Sequence, residues 1–124
     1  MLTIIIVTFN NEHEIGPCLL SVKLVAGAFS PQIIIIDNAS RDQTKNVIQN
    51  HSRDISFIAN EKNVGFTRAV NQGLAIARGH YLLLLNPDTE LPENIFDDLL
   101  PIFEKQADVG IVAPQFLNAD GSVQ

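Results

Sequence analysis

The tetrapeptide Asn86-Pro87-Asp88-Thr89 follows the apolar run Tyr81-Leu82-Leu83-Leu84-Leu85 without a break. Such a run, bounded by turn residues, reads as a strand buried on both faces. Pro87 fixes the backbone of the turn, and Asp88 then stands on the rim of the sheet. A carboxylate placed there can hold a hard divalent cation and, through it, a phosphate. Two further segments repeat the plan: Ile4-Ile5-Ile6-Val7 runs into Thr8-Phe9-Asn10-Asn11, and Ile33-Ile34-Ile35-Ile36 runs into Asp37-Asn38-Ala39-Ser40. Three strands that end in Asp, Asn or Thr set those groups along one edge of a parallel sheet. Ligands of open α/β sheets bind at that edge.

The elements needed to hold these groups are legible as repeated strand–helix units. Strands are expected at 2–7, 33–36, 55–59 and 81–85, with a last one at 109–113. Asn11 is expected to cap the first helix, with Glu12 and Glu14 in its opening turn, Ile15, Leu19 and Val22 inside, and Gly27 at its end. Ser40-Arg41-Asp42-Gln43 has capping-box spacing and opens the second helix. Val64-Gly65-Phe66 leads into a third helix whose inner face carries Ala69, Val70, Gly73 and Ala77, stopped by Gly79. Pro92 suits the first helical position of a fourth. Pro101 lies within that helix and should kink or break it, or cost ~3 kcal/mol. Asn118-Ala119-Asp120-Gly121 reads as a turn in a hairpin begun at Gln115. With almost no second strand after it, the chain reads as the front part of a longer architecture, with an edge open to self-association.

The 124 residues suit one domain, burying roughly two thirds of the unfolded surface. With 46% hydrophobic and 18% charged residues, the chain is globular rather than disordered. A net charge of −6 argues against a general nucleic-acid surface. An anionic nucleotide remains compatible, since a cation or helix N-termini can supply positive field locally. The single cysteine, Cys18, cannot form an internal disulfide. The stretch from Ile15 to Phe29 is too short and too interrupted to span a bilayer, and the start lacks the basic region of a signal peptide. The sequence therefore reads as a soluble, unsecreted, cytoplasmic chain.

Each candidate has a plainer reading beside it. Asn86-Pro87-Asp88 is also ordinary turn chemistry. Asp37-Asn38 either accepts from a base N–H or a ribose hydroxyl, or caps the helix that follows. Because Ser40 already suits the cap, Asp37 reads as free for a ligand and dispensable for the apo fold. Asn63-Val64-Gly65-Phe66 is either a backbone loop approaching a ligand or a tight strand-to-helix connection. Arg68 is either a phosphate partner or a solvated charge. His13, His51 and His80 have no zinc-ligand spacing. The chain lacks Gly-x-Gly-x-x-Gly, the P-loop motif and the Gly-x-Ser-x-Gly elbow.

Taken together, Ile6-Val7-Thr8-Phe9-Asn10, Ile36 to Asp42, Asn60 to Phe66, Asn71-Gln72-Gly73, Leu83 to Thr89, Val109 to Pro114 and Asn118 to Ser122 resemble glycosyltransferase family 2 in order and spacing. The Asn-Pro-Asp-Thr form is similar to the branch that includes bacterial rhamnosyltransferases of cell-surface polysaccharides. The resemblance implies a GT-A fold: an open, mostly parallel sheet with helices on both faces, cut before the acceptor half. It implies an inverting transferase that takes a sugar from UDP or dTDP to a glycan or lipid-linked acceptor, working at the inner face of the membrane. Thr8 and Asn10 would line the nucleoside pocket and Asp37 would hold the base or ribose. Asn38, Asn63, Gly65, Arg68, Asn71 and Asn86 would complete the donor site. Asp88 would bind Mg²⁺ or Mn²⁺ as the last member of the family's Asp-x-Asp motif, with Asn86 in the first member's place as a neutral, weaker acceptor. The catalytic base would lie beyond Gln124. Two other classes compete: a nucleotide-binding fragment without catalysis, and an unrelated doubly wound domain. A receiver is disfavoured because no lysine follows a later strand suitably.

Overall fold

The computed structural model describes residues 1–51, 54–115, 117–118 and 120–123. Four strands, Leu2–Thr8 (β1), Gln32–Asp37 (β2), Ile55–Ala59 (β3) and Tyr81–Leu85 (β4), pair in parallel in the order β3-β2-β1-β4. Parallel neighbours need crossovers, and helices supply them: Ile15–Ala26 (α1), Thr44–His51 (α2) and Phe66–Ile76 (α3). A short 3₁₀ turn, Gly27–Phe29, follows α1. The chain winds from β1 out to β3 and then returns to the other side of β1. The order reverses between β1 and β4, which makes that crevice the topological switch point.

β1 and β2 are buried on both faces, as their isoleucine runs require. Ile5, Ile34 and Ile36 form one layer with Ala69 of α3. Ile4, Ile6 and Ile35 point to the other face and are equally buried. There α1 and α2 bury Ile15, Cys18, Leu19, Val22 and Ile48. Each isoleucine so removed from water contributes roughly 1.5–3 kcal/mol. β4 differs from the expectation. Leu82 and Leu84 are about half exposed (51% and 49%) and only Leu85 is buried: the two exposed leucines share the Ile5 face, where α3 packs on β1 and β2.

Both glycines expected in and after α3 meet close neighbours. A Cβ on Gly73 would stand 2.8 Å from Ile5 Cγ2 and 3.0 Å from Ile36 Cδ1, so its absence lets α3 lie on the sheet. Gly79 does not end α3, which stops at Ile76. Its role is a close approach to β1, where a Cβ would meet the Thr3 backbone nitrogen at 2.5 Å. The same corner is stapled by side chains. Thr3 Oγ1 accepts from Gly79 N–H and donates to Gln32 Oε1, each at 2.8 Å.

The helix starts depart from the sequence reading in three places. Asn11 accepts the first helical bond of α1 through its carbonyl, but its side chain turns back to accept from Phe9 N–H. Ser40 does not cap α2; Asp42 does, accepting from Thr44 N–H at 3.0 Å and from its hydroxyl at 2.6 Å. Burial alone would raise the Asp42 carboxyl. Its hydrogen bonds from Thr44 and from the Glu12 and Asp42 backbone outweigh that and hold it below the usual range. Pro92 precedes rather than begins the fourth helix, Ile95–Lys105 (α4).

The chain divides into two compact units, Met1–Glu93 and Asn94–Gln124. The first carries the sheet. In the second, α4 runs through Pro101 without ending there. Val109–Ala113 forms no strand: no ladder partner exists for it among the described residues, and Ile111 is 90% exposed. Further on, Leu117 and Val123 form a single antiparallel bridge around a turn at Asn118, Asp120 and Gly121. The Phe116 and Ala119 parts of the expected hairpin lie outside the described residues.

The two glycines separate two kinds of crowding. Gly79→Ala should destabilise by roughly 1–3 kcal/mol, because a methyl there meets backbone that cannot yield. Gly73→Ala should cost less, because isoleucine ends can shift and alanine gains helix propensity of about 1 kcal/mol over glycine. Urea unfolding of both variants measures the order; equal losses would contradict it.

Candidate functional site

The backbone turns sharply at the carboxyl ends of β1 and β2. Asn10 (φ 56°) and Ala39 (φ 67°) both adopt the left-handed conformation that non-glycine residues rarely take. These turns are locked to one another. Asn10 N–H donates to Ser40 Oγ and Arg41 N–H to Asn10 Oδ1, both at 2.9 Å. Asn11 N–H donates to Thr44 Oγ1 at 2.8 Å, and Gln43 N–H to Glu12 Oε2 at 2.7 Å.

Beneath the turns lies Asp37, fully buried. β1 and β2 pair so that Thr8 and Asp37 are register partners, and Thr8 Oγ1 donates to Asp37 Oδ1 at 3.1 Å. Ser40 N–H donates to Asp37 Oδ2 at 2.9 Å, and the Ser40 hydroxyl donates to Oδ1. Lys45 Nζ, reaching in from α2, stands 3.6 Å from Oδ2. The expectation that Ser40 caps α2 and leaves Asp37 unengaged in the fold is therefore corrected. With Ser40 bonded to it rather than capping α2, Asp37 ties β1, β2 and α2 together. Backbone ladders run past the strand ends as well, from Asn38 N–H to Thr8 O and from Asn60 N–H to Asp37 O.

Above this layer opens a cavity of about 520 Å³, lined by Phe9 and Asn10 after β1, Ala39, Ser40 and Arg41 after β2, Lys45 on α2, and Asn60 to Asn63 after β3. It belongs to the edge that the sequence indicates. Of the expected donor-site residues, Asn10 and Asn63 line it. Thr8, Asp37 and Asn38 are buried and support its floor. Gly65 (φ 84°, ψ 159°) sits at the start of α3 in a conformation suited to glycine. Its N–H donates to Asn63 Oδ1 at 2.9 Å, which fixes the loop. Arg68 and Asn71 are exposed on α3 and are not among the lining residues.

Past β4, Asn86 to Thr89 form a turn closed by Thr89 N–H donating to Asn86 O at 3.2 Å. Asn86 and Asp88 are exposed on it, outside the cavity lining but on the side of β1 where the strand order reverses. Among the described residues no three His, Cys, Asp or Glu side chains cluster as a ready-made metal cage. Cys18 of α1 lies below the turn, its thiol donating to Asn86 O at 3.7 Å. Burial, then the charges of Asp88 and Glu90, push that thiol from 9.0 up to about 12. It stays protonated at neutral pH and is no nucleophile.

Sequence reasoning missed the cations. Arg41, Lys45 and Lys62 all line the cavity of a chain whose net charge is −6. They are scattered over 22 positions and share no motif, so only the fold gathers them. Asn60 also lines the cavity without having been singled out, although it stands in a motif quoted for the resemblance.

Replacing Asp37 by alanine should destabilise the apo protein by roughly 2–4 kcal/mol, since it leaves buried donors of Thr8 and Ser40 without an acceptor. Thermal and urea unfolding measure this. A variant as stable as wild type would show that the buried carboxylate is dispensable.

Residues 3–122 match the family model described as Glycosyl transferase family 2. The chain is 28% identical over 125 residues to the minor teichoic acid biosynthesis protein GgaB of Bacillus subtilis, covering 96% of this chain and 14% of that one. It spans well under half the length of the curated relatives it matches. Its fold is that of S. aureus TarS 1-349, solved in complex with UDP-GlcNAc (TM-score 0.76, 18% identity, 93% of this chain, 38% of that). A mannosyltransferase from Pyrobaculum calidifontis, solved with GDP-Man and Mn²⁺, is similarly close in fold (TM-score 0.76, 17% identity, 82% of this chain, 32% of that). A match running through both compact units, from β1 to the turn at Gly121, leaves one assignment: the chain belongs to glycosyltransferase family 2.

Proposed function

We propose that these residues form the donor-binding part of an inverting glycosyltransferase that uses a UDP- or dTDP-activated sugar in cell-surface polysaccharide synthesis, on the cytoplasmic side of the membrane. The acceptor is a glycan or a lipid-linked glycan. The observation that carries this reading is the cavity at the carboxyl ends of β1, β2 and β3, with the exposed Asp88 carboxylate beside the switch point. GgaB is named for teichoic acid synthesis and the TarS neighbour binds UDP-GlcNAc, so a UDP-linked sugar is favoured over a rhamnosyl donor. No helix among the described residues is long and apolar enough to cross a membrane.

In this reading the nucleoside occupies the cavity between Asn10, Ala39, Asn60 and Asn63, and the diphosphate extends toward the turn after β4. Asp88 and Asn86 offer a carboxylate and an amide oxygen on that exposed turn. Mg²⁺ and Mn²⁺ take oxygen ligands and commonly use one or two carboxylates together with phosphates and water. The donor set fits such an ion, held jointly with the ligand rather than by the protein alone. When bound, the ion would supply positive charge to the departing diphosphate.

Nucleoside diphosphate and Mn²⁺ should therefore bind synergistically. UDP or dTDP at ~100 times its dissociation constant should add about 2.7 kcal/mol to stability. Asp88→Asn should remove the part of the effect that depends on Mn²⁺. Thermal shift and calorimetry with UDP, dTDP and GDP, each with and without Mn²⁺, make the measurement. An unmoved melting temperature with all three nucleotides would refute the donor-site reading; unchanged metal dependence in Asp88→Asn would refute the role of Asp88.

We also propose that residues 1–124 alone bind donor without transferring sugar, with the catalytic base supplied by sequence beyond Gln124. The acids nearest the metal turn, Glu90 and Glu93, sit on the donor side of the reading. Lack of a general base commonly costs ~10²–10⁴ in rate. Incubation with labelled UDP-sugars and glycan acceptors should give no acceptor-dependent product; enzyme-like turnover would show that a base lies within these residues.

A further inference from the structure

The segment that carries Asp88 is held at both of its ends by α1. At its start, Asn86 O accepts from Thr89 N–H within the turn at 3.2 Å and from the Cys18 thiol beneath it at 3.7 Å. At its far end, Leu91 N–H donates to Ser21 Oγ at 3.1 Å. Cys18 and Ser21 are separated by one turn of helix and share a face of α1. Asp88 lies between the two anchors, close enough for its charge, with that of Glu90, to act on the Cys18 thiol.

Ser21 stands out on that face. The other buried side chains of α1 are aliphatic or the thiol: Ile15, Cys18, Leu19, Val22 and Ala26. A hydroxyl buried among them costs free energy unless it is bonded. Its proton goes to Cys18 O at 2.8 Å. The oxygen lone pairs remain, and Leu91 N–H takes one of them. This bond joins residues 70 positions apart, beyond the point where the ladder of β4 on β1 ends at Leu85. Asn86 to Leu91 form no helix or strand, so anchors of this kind decide where the segment lies.

A carboxylate on a loose turn must be ordered when it takes up a cation, and that ordering is subtracted from affinity. A turn anchored beforehand avoids the loss. We propose that Ser21 is a positioning residue for Asp88: by accepting from Leu91 N–H, it holds the turn in the conformation in which Asp88 takes a divalent cation jointly with a diphosphate. The proposal rests on the metal-binding reading of Asp88 given above. Ser21 is buried and is not among the cavity-lining residues. Its loss should therefore alter the gain that metal brings and leave metal-free nucleotide binding in place.

The test is calorimetry of UDP with and without Mn²⁺ on wild type, Ser21→Ala, Ser21→Thr and Val22→Ala. The quantity read is the factor by which Mn²⁺ tightens UDP binding. Ser21→Ala should lower that factor roughly three- to tenfold, the range of one hydrogen bond between protein groups, with metal-free UDP affinity within about twofold of wild type. Ser21→Thr keeps the hydroxyl and should keep the factor. Val22 is fully buried at the next position of α1 and has no hydrogen-bonding side chain, so Val22→Ala should lower the melting temperature and keep the factor. A wild-type factor in Ser21→Ala would reduce Ser21 to a structural role and overturn the proposal, leaving Asp88 standing. A loss in Ser21→Thr or Val22→Ala equal to that in Ser21→Ala would overturn it as well, since general loosening of α1 would then account for the effect. Wild type whose UDP binding gains nothing from Mn²⁺ would overturn the metal-binding reading of Asp88 and the proposal with it.

Discussion

The carboxyl edge of this sheet depends on one buried charge. Asp37 has no exposure to water, so both of its oxygens need partners within the protein. Thr8, Ser40 and Lys45 supply them from β1, the turn after β2, and α2. Satisfying one carboxylate therefore fixes where two strands end and where the next helix approaches. The left-handed turns at Asn10 and Ala39 stand directly above this knot, and their cross-bonds give rigid walls to the cavity.

The winding of the chain explains why that cavity is polar while the strands beneath it are almost wholly apolar. β1 and β2 are central, so their side chains are buried and their backbones are satisfied by neighbours. Polar side chains can enter only where the ladder stops. At the amino end of the sheet this produces the Thr3–Gln32–Gly79 staple, which closes the corner. At the carboxyl end it produces the cavity, because the chain there diverges into loops instead of folding back over the strands.

Charge is distributed on the same principle. The chain is acidic overall, yet Arg41, Lys45 and Lys62 converge on the cavity with one lining acid, Glu61, while Asp88 and Glu90 lie together at the turn after β4. Fields near a site are set by the few nearest groups, since charges farther than about 8 Å are screened at physiological ionic strength. Net charge thus argues against a broad nucleic-acid surface and leaves the local field of the cavity to its own lining residues.

Periodicity and composition alone determined the four strands to within a residue at each end and the presence of three crossover helices between them, though not where those helices begin and end, because apolar runs and their polar stops record burial directly. The motifs likewise determined the family and the edge at which the cavity opens. Only the tertiary structure decided the duties of the polar residues. Ser40 and Asp42 are equally good caps by type, and Asp42 prevailed because Asp37 lies within reach of Ser40 and needs its donors. Leu82 and Leu84 read as core, yet half their surface is open because the helix on their face, α3, packs on β1 and β2. Val109–Ala113 reads as a strand, but a strand exists only where another supplies its ladder, and no described residue does so. The cavity cations and the Ser21–Leu91 bond left no local signature. Both are contacts between residues distant in sequence, and local pattern carries no record of which distant residues will meet.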